Sequence, residues 1–547
     1  MKTRTSTQAL NTSKEKPATY RILVADPLAE EGLAILRQHG QVEVRTGLSD
    51  AELAQIIREY DALIVRSGTR VTREVLAAAH RLKVVARAGV GVDNIDIQAA
   101  TDFGVLVVNA PTGNIVAAAE HTIALLMAMA RRLPQAYVAM REGTWNRKAY
   151  MGMEVREKTL GLIGLGRVAS EVARRARGLE MHVVAHDPYV STEYARKLGV
   201  TLLPLEELLA QADIVSLHLP LTPETQRFID HERLAQMKPG AYLINTSRGG
   251  VIDEEALLRA LDEGHLAGAA LDVFSVEPLP PDHPLRHHPK VILTPHIGGS
   301  TVEAQARVAR DAAEQVIAAL QGRPVPYAVN APIVPPQSLA FLTPWIDLAE
   351  RLGRFLRQMG GARLSRVELT VHGDLIQHDI TYLRAAVLKG LLEGIVDERV
   401  NLVNAVQVAR RRGIEFVERR REQGQRFHTM LTLRGYHADQ GEETVWLVRG
   451  AIVYGEPTIV GVNDLWVEFP ARGHLLLTRH HDQPGIIGKI GTLLGSRDIN
   501  IAFMHVGRRA PRGEAIMVLG LDDPLPDDVL EELRRAPLTY WVRKVEL

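Results

Sequence analysis

Arg248, Glu277 and His296 each stand a few residues beyond an apolar run. Their settings are Asn245-Thr-Ser-Arg248-Gly-Gly, Leu271-Asp-Val-Phe-Ser-Val-Glu277-Pro and Thr294-Pro-His296-Ile-Gly-Gly-Ser. The three types suit one chemistry. Removing hydride from a hydroxy acid requires a cation for the carboxylate, a base for the hydroxyl proton and a group that orients and charges that base. Arginine offers a carboxylate a bidentate fork. Histidine exchanges protons near neutrality. A glutamate paired with the imidazole favours the imidazolium. Taken singly, an arginine after a strand is an ordinary solvated charge, and a loop histidine is ordinarily structural. Three such residues after three strands of one nucleotide-binding unit favour the catalytic reading, with solvated or structural roles as the competing one.

The elements that must hold them centre on Thr159-Leu-Gly-Leu-Ile-Gly164-Leu-Gly166-Arg-Val-Ala-Ser170. The run Leu160 to Ile163 reads as a buried strand, and Val172, Ala173 and Ala176 mark the inner face of a helix. This strand–turn–helix is the context that a dinucleotide-binding glycine turn requires. Gly164 permits the tight turn. Gly166 lets backbone N–H groups approach a pyrophosphate at the positive end of the helix. Ala169 takes the third small position. Met181 to His186 reads as the next strand. Asp187 follows it, 23 residues after Gly164, where a carboxylate accepts hydrogen bonds from an adenosine ribose. A carboxylate there repels a 2′-phosphate, which favours NAD over NADP.

Strands predicted at 213–217, 241–245, 269–272 and 291–294 complete this unit. Upstream, Arg21 to Ala25, Ala62 to Arg66, Lys83 to Ala86 and Val105 to Val108 predict buried parallel strands of an α/β unit without a phosphate turn. A helix over Val116 to Arg132 leads into the nucleotide unit, and one over Thr301 to Leu320 returns from it. Two α/β domains with a ligand cleft between them are expected. Pro324, Pro326, Pro332, Pro335 and Pro336 mark a linker. Beyond it, helices are predicted near Pro344 to Met359 and Asn401 to Arg412, with strands around Val367, Met430 and Val445. From Gly473 onward the pattern is β-α-β-β-α-β. The expected organisation is a disordered tail at 1–19, a first unit at 20–115 and 303–332, the nucleotide unit at 116–302, a third region at 333–471 and a fourth at 472–547.

The 547 residues suffice for three or four domains. Basic and acidic residues number 65 each, so no basic excess points to nucleic acid. Cysteine is absent, which excludes disulfides and thiolate metal sites and agrees with a reducing cytoplasm. No metal site is expected. No apolar run approaches the roughly 18–20 residues of a membrane span, so no membrane partner is expected.

Four segments carry a family resemblance: Arg87-Ala-Gly-Val-Gly-Val-Asp-Asn-Ile-Asp96, Gly164-Leu-Gly-Arg-Val168, Asn245-Thr-Ser-Arg-Gly-Gly250 and Pro295-His-Ile-Gly-Gly-Ser-Thr301. Together they resemble the D-isomer-specific 2-hydroxyacid dehydrogenase family, over residues 20–547. The resemblance implies an α/β chain: a Rossmann-like nucleotide-binding domain and a flavodoxin-like substrate domain, then an α+β intervening domain and a ferredoxin-like ACT domain. It implies NAD-dependent oxidation of 3-phospho-D-glycerate to 3-phosphooxypyruvate, a step toward L-serine. Arg248 is then the carboxylate anchor, His296 the proton acceptor–donor and Glu277 its partner. Implied cofactor contacts are Val90, Gly164, Gly166, Arg167, Val168, Asp187, Leu219, Thr246, Ser247, Arg248, Asp272, His296, Ile297, Gly298 and Gly299, with Asp272 near the nicotinamide. Implied substrate contacts are Arg66, Ser67, Gly89 and Asn114. Arg147 and Lys148 match a basic loop for the phosphate, with plain surface charge as the competing reading.

In the fourth region, His481-Asp482-Gln-Pro484-Gly485-Ile-Ile-Gly488 resembles the strand–helix turn of an ACT module. Asp482, Pro484, Gly485 and Asn500 are the implied effector contacts, with L-serine as effector; Gln483 departs from the arginine frequent there. In the third region, the clusters Arg410 to Arg412 and Arg419 to Arg421 read either as an anion site or as a solvated face. The resemblance also implies a cytoplasmic homodimer or homotetramer. Three other readings stay open. One is a dehydrogenase for glyoxylate, hydroxypyruvate or D-lactate. Another is an NADH-sensing corepressor-like protein. The third makes the C-terminal half an oligomerisation scaffold.

Overall fold

A computed structural model describes residues 20–332, 336–360, 364–396, 399–437, 444–535 and 539–547. The expected tail at 1–19 and part of the proline linker lie outside the described residues. The first sheet holds β1 (Tyr20–Val24), β2 (Gly40–Val44), β3 (Ala62–Val65), β4 (Val84–Arg87) and β5 (Leu106–Asn109). All pairs are parallel, in the order β2-β1-β3-β4-β5, a flavodoxin-like arrangement. Ile22, Leu23, Leu63, Val85 and Val107 have no exposed surface. Strands buried on both faces read as unbroken apolar runs, which is why four of the five are visible in the sequence. The edge strand β2, Gly-Gln-Val-Glu-Val, is only partly buried and escapes that reading.

The second sheet holds β6 (Thr159–Ile163), β7 (His182–His186), β8 (Thr201–Leu202), β9 (Ile214–Leu217), β10 (Tyr242–Asn245), β11 (Gly268–Leu271) and β12 (Val291–Leu293). It is parallel in the order β12-β11-β10-β9-β6-β7-β8. Strand order reverses at β6, which lies between β7 and β9, so the carboxyl end of β6 is the switch point where such sheets take ligands. The register pairs Asn245 with Leu271, and Leu271 with Leu293. The loops after β10, β11 and β12 therefore leave the sheet at one level. The predicted helices at 116–132 and 301–320 are Ile115–Ala130 and Val302–Leu320.

The third sheet is β13 (Leu364–His372), β14 (Glu415–Arg421), β15 (Met430–His437), β16 (Thr444–Val453), β17 (Glu456–Val462) and β18 (Leu465–Pro470), in the order β14-β13-β15-β16-β17-β18. Helices Pro336–Gly360, Thr381–Leu392 and Ala405–Arg411 accompany it. The fourth sheet is β19 (His474–His481), β20 (Ile501–Arg508), β21 (Glu514–Leu521) and β22 (Thr539–Glu546), antiparallel in the order β20-β21-β19-β22. With helices Ile486–Ser496 and Asp527–Arg534 it has the expected β-α-β-β-α-β plan. Leu352 and Phe355 of the third region share one apolar core with Leu475, Val518 and Val545 of the fourth. Among the described residues, no helix is long and apolar enough to cross a membrane.

Candidate active site

The strand β6 runs into Gly164, whose φ of +89° lies in the left-handed region. A Cβ there would stand 2.6 Å from the His218 carbonyl oxygen, so both torsion and space require glycine. Gly166 caps the Arg167–Gly178 helix, and open space surrounds the position its Cβ would take. Arg167 is exposed and Val168 partly buried at the start of that helix, above the wholly buried Ala169. Leu219 lies against Gly164. Asp187 pins the turn, accepting the Leu165 N–H at 2.8 Å and the Tyr189 N–H at 2.9 Å. An open glycine cradle at a helix N-terminus fits the pyrophosphate of a dinucleotide.

His296 Nδ1 lies 2.7 Å from Glu277 Oε2, and Glu277 Oε1 accepts the Phe274 N–H at 3.0 Å. Burial pushes the Glu277 carboxyl up, but the hydrogen bonds from His296 and Phe274 outweigh it and hold the group below its ordinary range. An ionised carboxylate only accepts, so Nδ1 carries a proton and Nε2 is left to take or release one. The imidazole is 47% exposed, within reach of a ligand. Its backbone has φ +52°, and its N–H donates to the Asp272 carbonyl at 2.9 Å.

Arg248 belongs to the loop after β10. The wholly buried Asn245 shapes that loop: its Nδ2 donates to the Arg248 carbonyl at 2.8 Å, and its Oδ1 accepts the Ser247 N–H and hydroxyl at 3.0 and 2.9 Å. A Cβ on Gly249 would fall 1.9 Å from the Phe274 carbonyl carbon. The Arg248 loop and the Glu277 loop therefore touch backbone to backbone.

Asp272 is 1% exposed. Its carboxylate accepts the Thr294 hydroxyl at 2.6 Å and the Ile297 and Gly298 N–H groups at 2.8 Å each. His121 Nε2 lies 3.2 Å from it and 3.0 Å from the Thr294 hydroxyl. Burial raises the Asp272 carboxyl, and these four bonds lower it further than burial raises it. Thr246 meets Thr122 at 2.7 Å. His121, Thr122 and Thr294 were not visible as site residues in the sequence; an interior polar contact between a helix and loops far along the chain leaves no local signal. His218 bonds the buried Ser216 hydroxyl at 3.0 Å, and burial pushes its imidazole down to about 4, so it is neutral.

The remaining expected residues fall in several places. The Arg66 N–H donates to Asp26 at 2.6 Å, and Ser67 is exposed beside it after β3. A Cβ on Gly89 would overlap the Arg87 guanidinium, and the Val90 carbonyl accepts Asn109 Nδ2 at 2.6 Å. Asn114 opens the Ile115–Ala130 helix with its amide against Gly299. Arg147 and Lys148 lie exposed on a single 3-10 turn, Arg147–Tyr150. In the fourth region, Asp482 pairs with Arg508 at 2.8 Å, whereas Asn500 donates to Asp522 at 2.6 Å. Pro484 and Gly485 are exposed, Gly485 capping the Ile486–Ser496 helix with φ +90°.

Residues 123–298 match the model of the D-isomer specific 2-hydroxyacid dehydrogenase NAD binding domain, 341–463 the D-3-phosphoglycerate dehydrogenase intervening domain and 474–538 the ACT domain. D-3-phosphoglycerate dehydrogenase of Synechocystis is 46% identical over 518 residues, spanning 94% of this chain and 93% of that protein. The Archaeoglobus fulgidus enzyme of the same name is 43% identical over 530 residues, 96% of this chain and all of that one. A solved Thermus thermophilus protein, 42% identical, superposes with a TM-score of 0.53 over 56% of this chain and 99% of its own. The NAD complex of a Staphylococcus aureus formate dehydrogenase, 30% identical, covers 56% of this chain and 96% of its own with a TM-score of 0.51. The chain carries an NAD-binding domain, and it belongs to the D-3-phosphoglycerate dehydrogenases of the D-isomer specific 2-hydroxyacid dehydrogenase family.

Proposed function

We propose that the protein oxidises 3-phospho-D-glycerate to 3-phosphooxypyruvate with NAD, at a site built on Arg248, Glu277 and His296. One observation carries the reading: the ionised Glu277 holds the proton of His296 on Nδ1 and leaves Nε2 as the base. Bound NAD supplies the hydride acceptor. His296 Nε2 takes the C2 hydroxyl proton as the C2 hydride departs. Glu277 offsets the charge of the resulting imidazolium. Arg248 holds the substrate carboxylate through its fork. The relatives named above support the choice of substrate.

For the cofactor we assign Gly164, Gly166, Arg167, Val168, Asp187, Leu219, Val90, Thr246, Ser247, Asp272, Ile297, Gly298 and Gly299, besides Arg248 and His296. For the substrate we assign Arg66, Ser67, Gly89 and Asn114, with Arg147 and Lys148 toward the phosphate. The ACT domain supports a small-molecule effector. We take it to be L-serine, at Asp482, Pro484, Gly485 and Asn500. A second copy of the chain is the proposed partner. Leu133, Tyr137, Val138, Met140, Trp145 and Met151 are all about half exposed or more, an apolar surface of the kind that copies cover. The division at 115/116, 302/303, 332/333 and 471/472 and a cytoplasmic location complete the proposal.

The test is NAD reduction against 3-phospho-D-glycerate, D-glycerate, glycolate and D-lactate, with and without serine. The expected result is a specificity constant for the phosphorylated acid far above the rest, lowered by serine. Comparable constants for unphosphorylated acids would assign another hydroxyacid dehydrogenase. No turnover across a wide pH range would favour NADH sensing.

A further inference from the structure

The Ile115–Ala130 helix contributes no residue to the proposed proton transfer, yet two adjacent side chains on it reach the loops that do. His121 Nε2 stands 3.0 Å from the Thr294 hydroxyl and 3.2 Å from the Asp272 carboxylate. Thr294 donates to Asp272 at 2.6 Å. That spends the only hydroxyl proton of Thr294, and the carboxylate is a pure acceptor. His121 Nε2 must therefore carry a proton and donate it. The chain of bonds continues: the same carboxylate accepts the N–H groups of Ile297 and Gly298, the two residues that follow His296. His296 itself sits at φ +52°, a conformation that a non-glycine residue keeps only when its surroundings hold it. The next side chain, Thr122, works on a different loop. Its hydroxyl donates to the Ala118 carbonyl at 2.8 Å, so the Thr246 hydroxyl at 2.7 Å must donate to it. Thr246 lies two residues before Arg248.

We propose that His121 and Thr122 are positioning residues: they key the loops after β10, β11 and β12 to one helix and so fix Arg248 and His296 relative to each other. The proposal rests on the dehydrogenase reading of this site. Neither residue touches the groups that react. Both act by denying the loops a second arrangement. Asp272 becomes the joint of the assembly, a buried carboxylate whose bonds run to His121 on the helix, to the Thr294 hydroxyl before His296 and to the backbone N–H groups of Ile297 and Gly298 after it. Two consequences follow. Thr246, with its proton committed to Thr122, offers a cofactor only an acceptor lone pair or its backbone. His121 and Thr122 control turnover from a helix outside the proton-transfer residues.

The experiment uses the full-length protein and four variants, with unfolding temperature, NADH affinity by fluorescence titration, and kcat and KM for 3-phospho-D-glycerate. His121→Phe keeps a ring of similar size and removes the donor. Its expected result is a kcat lower by about ten-fold or more, with NADH affinity and KM changed less than about three-fold. His121→Gln carries an amide N–H of similar reach and is expected to recover most of the lost kcat. A merely structural role would not give that split or that rescue. A His121→Phe kcat within about two-fold of the parent, or a His121→Gln as impaired as His121→Phe, overturns the proposal. Should His121→Phe fail to fold, Thr122→Val decides: a lowered kcat with NADH bound as before supports the brace, and an unchanged kcat removes it. His296→Ala separates the two levels. Turnover persisting in that variant sinks the dehydrogenase reading of the site; its loss beside a fully active His121→Phe sinks the brace alone.

Discussion

Glu277 grips His296 and its own loop at once: Oε2 lies 2.7 Å from His296 Nδ1 while Oε1 accepts the Phe274 N–H at 3.0 Å. The carboxylate thereby fixes the tautomer of the imidazole and its rotation together. Glu277→Gln keeps the shape and loses the charge that offsets an imidazolium. It is expected to lower kcat about a hundred-fold while NADH affinity stays near the parent value. Steady-state kinetics with a fluorescence titration check this. A kcat within a few-fold of the parent would remove Glu277 from the mechanism.

Gly249 has no room for a side chain, because its Cβ would fall 1.9 Å from the backbone of Phe274. Gly250, next to it, would meet only the movable end of Leu221 at 3.2 Å. Gly249→Ala must push the Arg248 loop away from the Glu277 loop, whereas Gly250→Ala asks one leucine to shift. The expected kcat/KM for Gly249→Ala is down at least about a hundred-fold, and for Gly250→Ala by a few-fold at most. Equal effects from the two would show that close packing of the loops is irrelevant to turnover.

The parts of this site visible in the sequence are those written locally. Gly164, Gly166 and Asp187 stand at fixed offsets from an apolar strand, and Arg248, Glu277 and His296 each follow such a strand. The brace behind them was hidden because His121 and Thr294 meet across 173 residues of chain. In the third region, helix Thr381–Leu392 was missed for a different reason. Nine of its twelve residues are buried, so no polar face marks a helical period. The Arg419 to Arg421 cluster, expected on a solvated helix face, instead ends β14, Glu-Phe-Val-Glu-Arg-Arg-Arg, a charged strand at the edge of the third sheet.

Asp187 accepts two backbone N–H groups that shape the glycine turn, Leu165 on one side and Tyr189 on the other. On the proposed reading its negative charge would repel the 2′-phosphate of NADP. Asp187→Ser is expected to weaken NAD use by about ten-fold and to narrow the NAD-to-NADP ratio of kcat/KM by more than that. The ratio is the informative quantity, since a loosened turn alone lowers both cofactors equally. An unchanged ratio would mean that the carboxylate does not choose between them.

His218 is neutral because burial pushes its imidazole from 6.5 down to about 4. The unfolded chain therefore binds a proton between those values that the folded chain refuses. Its contribution is complete above about pH 6.5 and is lost progressively as pH falls toward about 4, to a limit of about 3 kcal/mol. Denaturant unfolding at a series of pH values reads this slope. His218→Gln, which cannot take up the proton, is expected to flatten it. A slope identical in both proteins would place the titrating group elsewhere.

Phe355 in the third region and Leu477 in the fourth are both essentially unexposed and belong to a single apolar core. Phe355 contacts Phe469 with ring centres 6.4 Å apart, and Trp446 meets Trp541 edge-on at 5.4 Å across the boundary between the two regions. Apolar surface shared in this way cannot be exposed on one side without exposing the other, so the two regions are expected to unfold as one. Phe355→Ala and Leu477→Ala each remove core volume, at about 3 kcal/mol apiece. Calorimetry of the full-length protein should show both variants lowering the same transition. If each lowers a transition of its own, the ACT domain is thermodynamically independent, and an effector bound there would have no packed route to the rest of the chain.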